Sequence, residues 1–280
     1  MSVIRKFGAI YKTDWKMLRR DPILVYSVAM TFILLGVVRA ISGKLSSHLY
    51  FGPALFAMLM IPMIFGMVPG FMMVNEKEEK TIQALQVMPI SSTAFLLYRL
   101  LWSTIIMMVI TAISPVILDI ELPMKALGMI AGLFVLETII FALLVIDLSE
   151  TRMQAMTVMK IAGWILLLPI VIKFVVVARN FSTDWSKLTA FLPTYWIYKL
   201  YEEIQTEGNF NGYFQAGLAV HLIWLLVLLW LFRRKILREI YVIVFTMHSI
   251  HNDIYNNIIA FYFLFYQFKQ FGIIYILNLS

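Results

Sequence analysis

Six stretches of this 280-residue chain are apolar over roughly the 20 residues that a helix needs to cross ~30 Å of hydrocarbon. They run from Pro22 to about Ile41, from about Phe51 to Val74, and from about Ala94 to Leu118. The other three run from about Met124 to Leu148, from about Met159 to Ala178, and from about Phe214 to Phe232. In lipid every backbone N–H and C=O has to be satisfied within the protein, so consecutive runs of this kind predict a bundle of helices. Composition agrees. Hydrophobic residues make up 61% of the chain and charged ones 14%, which leaves too little polar material for a water-facing surface and excludes disorder.

Lys and Arg set the orientation. With the N-terminus in the cytoplasm, the cytoplasmic segments carry about twice as many basic residues as the opposite side, as the positive-inside rule requires. Basic residues alternate with the spans and form no single patch, so the net charge of +7 reads as membrane topology and no nucleic-acid partner is expected. The expected location is a cell membrane, crossed several times. The chain has no cysteine, so disulfides, thiolate nucleophiles and cysteine-bound metals are excluded. The first span is too long for a signal peptide and no small-residue cleavage pattern comes after it.

Three of the segments outside the spans stand out by composition. Residues 1–21 place Val3, Phe7, Ile10, Tyr11, Trp15 and Leu18 at three- and four-residue steps, with Lys and Arg on much of the remaining face. That pattern predicts an amphipathic helix lying on membrane lipid, ended by Asp21-Pro22. A solvated helix packed on a partner is the plainer reading. Residues 179–213 crowd Phe191, Tyr195, Trp196, Tyr198 and Tyr201 together, which predicts one or two short helices at the outer interface, or simply an aromatic belt. Residues 240–280 are rich in Ile, Phe, Tyr and Asn, with Lys269 their only basic residue. Residues 254–277 have the length for a further span, and the residue types are also those of A/T-rich codons in a shifted reading frame. The domains expected are therefore 1–21 (interfacial helix), 22–239 (six-span domain) and 240–280 (atypical tail), with transport needing only the first 239 residues. The fold class is an all-α polytopic membrane protein.

The stretch Asn75 to Ser91 carries the clearest motif. Glu76, Lys77, Glu78, Glu79 and Lys80 open it, where carboxylates favour a helix N-terminus. Ile82 and Leu85 come next, three apart on one face, and Pro89 punctuates the start of the third span. A short helix held between two spans can carry force from a cytoplasmic partner, although composition alone would read it as a solvated loop. Glu76-Lys77-Glu78, Thr81, Leu85 and Pro89-Ile90-Ser91 resemble, at this spacing, the signature of the type-2 ATP-binding-cassette exporter permeases. Lys80 and Met88 depart from it, standing where a small residue and a Ser or Thr are usual. Arg19-Arg20-Asp21-Pro22, the inner loop from Arg152 to Lys160, and Leu192-Pro193-Thr194-Tyr195-Trp196 are similar to further family landmarks.

The resemblance spans about residues 1–239. It implies a separate ATP-binding subunit, contacted through Glu76, Lys77, Glu78, Thr81, Ile82, Leu85 and Pro89 on a short cytoplasmic coupling helix. It also implies a second permease copy or homologue, with the pathway between the halves. No phosphate-binding loop is present to hydrolyse ATP: the one Gly-Lys pair, Gly43-Lys44, precedes Leu45 and has Val38 where the leading glycine belongs. No catalytic or cofactor motif is found either, neither His-Glu-x-x-His nor Gly-x-Ser-x-Gly, and His248 and His251 have no supporting ligand set.

Two features inside the spans are candidates for the pathway. Six methionines of the second span, Met63 and Met67 among them, accompany Pro62 and Pro69. Thioethers suit a surface that accepts varied apolar ligands, and prolines kink helices, although such stripes usually serve packing. Glu137 sits mid-span, where a charge costs at least about 2.5 kcal/mol, and Lys173 lies at a similar depth. They either pair, or Glu137 is protonated against a neighbouring helix while Lys173 snorkels outward. The function expected is a permease subunit of an exporter for a hydrophobic or amphipathic drug, antibiotic, peptide or lipid. The alternatives are an immunity or sensor protein that binds a toxic peptide, and an intramembrane enzyme using Glu137 and Lys173.

Overall fold

The computed structural model describes residues 22–42, 44, 47–79, 92–178, 185–206 and 210–232. The interfacial helix expected over 1–21, residues 80–91 of the coupling helix expected over 76–91, and the tail from 240 lie outside them. The chain divides into two compact units, Met1–Trp230 and Leu231–Ser280, and the helical bundle belongs to the first. All regular structure among the described residues is helical. In order these helices are α1 (Pro22–Ser42), α2 (Ser47–Glu78), α3 (Ser92–Leu118), α4 (Met124–Leu148) and α5 (Arg152–Ala178). A single 3-10 turn at Trp185–Thr189 precedes α6 (Pro193–Gln205), and α7 covers Phe210–Phe232. Six of them, all but α6, are long and apolar enough to cross a membrane, so the chain is a multi-pass bundle.

α2 and α4 form the buried centre. Their contact is the most extensive in the fold, and α2 also packs on α1, α3 and α5. The closeness is set by Gly66. A Cβ there would stand 2.6 Å from the Thr138 carbonyl oxygen and 2.9 Å from the Phe141 Cβ. One turn on, Gly70 meets Val145 in the same way. Small residues four apart let two backbones approach where lipid supplies no hydrophobic drive.

α2 is helical through Pro53, Pro62 and Pro69. A proline inside a helix frees the carbonyl four residues earlier. For Pro69 that carbonyl is Phe65, and the Ser103 hydroxyl of α3 donates to it. The hydroxyls of Thr31 and Thr138 donate 2.8 Å to the carbonyls of Ser27 and Phe134. These polar groups of the spans are satisfied within the bundle, as hydrocarbon demands.

α1, α5 and α7 lie at the periphery and expose apolar faces, including Ile33, Trp164 and Leu226. α3 ends at Asp119, whose φ of 55° is the left-handed turn that Asp tolerates better than most residues. Its carboxylate lies 3.0 Å from Arg39 at the end of α1.

Two sequence expectations change. Residues 152–160, read as an inner loop, are the first turns of α5. No proline or glycine interrupts them, and Thr151 starts the helix by accepting from the Gln154 and Ala155 N–H groups. The Glu76–Glu78 carboxylates close α2 instead of opening the next helix.

Candidate functional site: an ion-paired end and two charged clusters

Carboxylates at a helix C-terminus oppose the macrodipole, so the end of α2 needs cations, and neighbouring elements supply them. Glu76 pairs with Arg99 of α3, both side chains mostly buried. Lys77 reaches Glu150, in the α4–α5 turn, at 2.7 Å. The Arg152 backbone N–H donates 2.8 Å to Glu78 Oε2, while its guanidinium lies 3.6 Å from Glu78 and pairs with Glu79. α2, α3 and the α4–α5 turn are therefore cross-linked at one end of the bundle. Each pair is modest where exposed; three elements tied together resist separation more than any pair does alone.

Of the residues expected to meet an ATPase, Glu76, Lys77 and Glu78 sit in this belt. Thr81, Ile82, Leu85 and Pro89 lie outside the described residues. Arg99, Glu150 and Arg152 complete the belt; the resemblance of the 152–160 segment marks Arg152, and no motif marks Arg99 or Glu150. Alternation of inner and outer ends is the sequence signal that places all three beside the end of the second span.

The opposite end carries a second cluster. α6 begins at Pro193, whose fixed φ suits the first helical position. It is not a surface belt: Tyr198 and Tyr201 are 1% and 2% exposed. The Thr194 hydroxyl donates to the Leu166 carbonyl of α5. The indole N–H of Trp224 in α7 donates 2.8 Å to the Phe191 carbonyl just before α6.

Lys173 of α5 lies 3.2 Å from Glu202, which also pairs with Lys199 at 2.6 Å and accepts from the Tyr198 hydroxyl at 3.1 Å. Both ammonium groups lie near the Tyr198 ring, 5.8 and 5.2 Å from its centre. Burial pushes the Glu202 carboxyl up, but the hydrogen bonds and charges of Lys199 and Lys173 outweigh it and hold the carboxyl below its ordinary value.

Lys173 is thus partnered by Glu202, and Glu137 by another residue. Glu137 and His221 of α7 are both fully buried, with His221 Nε2 3.2 Å from Glu137 Oε2. The imidazole Nδ1 lies 2.7 Å from the Gly217 carbonyl oxygen. Glu137 and His221 each stand at the middle of an apolar helix, and that shared depth is the sequence signal that points to the partner. Met63 is 3% exposed and Met67 partly buried, both packed in the core. Among the described residues no three His, Cys, Asp or Glu side chains gather as a metal site would need.

The chain is similar in sequence to known proteins. The model of the family described as "Fluoroquinolones export permease protein Rv2686c-like" matches residues 14–229. Two curated proteins of Mycobacterium tuberculosis are similar over 249 residues: the fluoroquinolones export permease proteins MT2760, of strain CDC 1551, and Rv2686c, of strain H37Rv. Each is 25% identical, covering 82% of this chain and 95% of its own length. No solved structure matches.

Proposed function

The chain belongs to the family of Rv2686c-like fluoroquinolone export permeases, and from that premise we propose that it works as the membrane subunit of an ATP-binding-cassette exporter, driven by a separate ATPase. The ion-paired end of the bundle faces the cytoplasm in this reading, with the N-terminus on the same side. The ATPase docks on residues 76–89, through Glu76, Lys77, Glu78, Thr81, Ile82, Leu85 and Pro89. A second permease copy or homologue supplies the other half of the pathway, covering part of the exposed faces of α1, α5 and α7.

The observation that carries the proposal is the belt of ion pairs. A push applied to residues 80–91 enters α2 and α3 directly. Through Arg152 and Lys77 it also reaches the α4–α5 turn, so four spans move together. ATP acts by binding one arrangement of the ATPase pair better than the other, and only that difference can shift the bundle between its inward and outward states. α2, with Met63 and Met67, lines the pathway when the centre opens. Lys173 and Glu202 hold α5 to α6 at the far end.

The substrate is hydrophobic or amphipathic, and a fluoroquinolone, the drug class for which the relatives are named, is the first to test. Arg152→Glu places a carboxylate against Glu78 and Glu79 and should break the belt. Export of a fluoroquinolone from cells carrying the chain and its ATPase should fall about tenfold or more, the equivalent of ~1.4 kcal/mol on the stroke. Co-purification of the ATPase should persist. Reversing the partner that is not among the named docking residues, with Glu79→Arg, should restore part of the export. Undiminished export by Arg152→Glu would overturn the transmission role.

A further inference from the structure

The pair at the centre of the bundle takes no part in the transmission described above. Both side chains are fully buried, and no other hydrogen-bond partner meets Glu137 Oε1, Glu137 Oε2 or His221 Nε2. The partner of His221 Nδ1 is a backbone carbonyl, Gly217 O, at 2.7 Å. A carbonyl can only accept, so Nδ1 carries a hydrogen and donates it. That fixes what remains. In a neutral imidazole Nε2 would then hold a bare lone pair, and an ionised Glu137 would face it with another. Two acceptors 3.2 Å apart, one of them charged and sealed from water, repel each other and leave the carboxylate uncompensated.

We propose that Glu137 and His221 form an intramembrane proton-binding site that holds one proton in the gap between Oε2 and Nε2, and that this proton pins α7 to α4. Imidazolium with carboxylate, and imidazole with carboxylic acid, are the two ways of writing the same occupied site; each leaves the pair neutral overall. Removing the proton leaves a buried anion, and adding a second leaves a buried cation.

No other charge in the neighbourhood replaces it. The other ionisable side chains of α4 are Lys125 and Asp147, at its two ends, and α7 adds Tyr213 near its start. α2 has none between residues 52 and 74. Arg99 of α3 is held by Glu76, and in α5 Arg152 is held by Glu78 and Glu79 while Lys160 lies toward that same end. Lys173 of α5 and the α6 residues Lys199, Glu202 and Tyr198 hold one another; Tyr195, Tyr201 and Glu203 complete the ionisable set of α6.

The ligand has to be a proton, because a fully buried pair this close leaves no volume for a larger cation. The same seal means that the proton exchanges only when α7 leaves α4. Separated and hydrated in alkaline solution, a free carboxylate and a free imidazole hold none. The docked pair holds one, so rising pH favours separation.

Thermal unfolding of the purified chain in detergent, monitored from neutral to alkaline pH, tests this without ATPase or substrate. Its outcome is therefore independent of the transport reading. Glu137→Gln puts an amide N–H where the proton stands and removes the buried carboxyl. The wild-type Tm should fall by about 5 °C or more across the range, and that of Glu137→Gln should stay level. His221→Gln leaves the buried carboxyl with no partner to share its proton, so its Tm should already lie below the wild type's at neutral pH, and adding Glu137→Gln should recover part of that loss. Parallel pH profiles for the wild type and Glu137→Gln would overturn the proposal. So would a His221→Gln variant that Glu137→Gln fails to rescue.

Discussion

At the scale of single residues, the fold depends on contacts that average hydropathy does not register. Gly66 is one atom short of a clash with Thr138 and Phe141. Gly66→Ala gains helix propensity of about 1 kcal/mol but has to push α4 away or distort it, at about 1–3 kcal/mol. The clash should win. Gly36, with nothing within 4 Å of the corresponding position, is the matched control and should gain slightly or stay level. Thermal unfolding of the two variants side by side separates these outcomes, and equal behaviour would mean that α2 and α4 are not in close backbone contact. Residue pairing is the least legible layer of the sequence. Charge alone marks Glu137, and it suggests Lys173 as the partner because both interrupt apolar runs. The actual partner, His221, is uncharged by formal count and has no motif around it. Depth along each helix selects it; residue type does not.

At the scale of elements, hydropathy locates each of the six spans, because about 20 apolar residues are a length requirement with one common solution. It is weaker at their ends. Arg152 to Lys160 is polar enough to look like a loop, yet its residues are sound helix formers and the backbone continues through them. The charge of Glu76 to Glu78 suggests a helix start, whereas the Arg99, Lys77–Glu150 and Arg152 contacts make the same charges tolerable at a helix end. The aromatic pattern of α6 suggests a surface belt, but the helix is packed into the bundle, where Tyr198 finds a hydrogen bond to Glu202 and two cations beside its ring. The ion pairs that join elements should differ in weight according to burial. Arg99 and Glu76 are 10% and 15% exposed and tie α3 to α2, whereas Arg39 and Asp119 are 47% and 71% exposed and tie α1 to the end of α3. Arg99→Ala should cost about 3 kcal/mol, because it strands a largely buried carboxylate. Arg39→Ala should cost less than about 1 kcal/mol and lose most of that in high salt. Stability measured at two ionic strengths checks both, and comparable losses would contradict the burial argument.

At the scale of the whole molecule, the chain is a multi-pass helical permease of an export family, and the family match ends at residue 229, before the tail begins. The sequence motif around Glu76 points to this class through the order of its parts along six spans. It leaves open how a local push becomes a movement of the bundle, and the proposed answer lies in the ion pairs that fasten α2, α3 and the α4–α5 turn at one end. In that account a separate ATPase supplies the energy and this chain transmits it. The most direct measurement is accumulation of a fluoroquinolone in inside-out membrane vesicles that contain the chain with its ATPase, compared with vesicles in which the ATPase carries an inactivated nucleotide site. The account predicts ATP-dependent accumulation in the first and none in the second. Equal accumulation in both would contradict it.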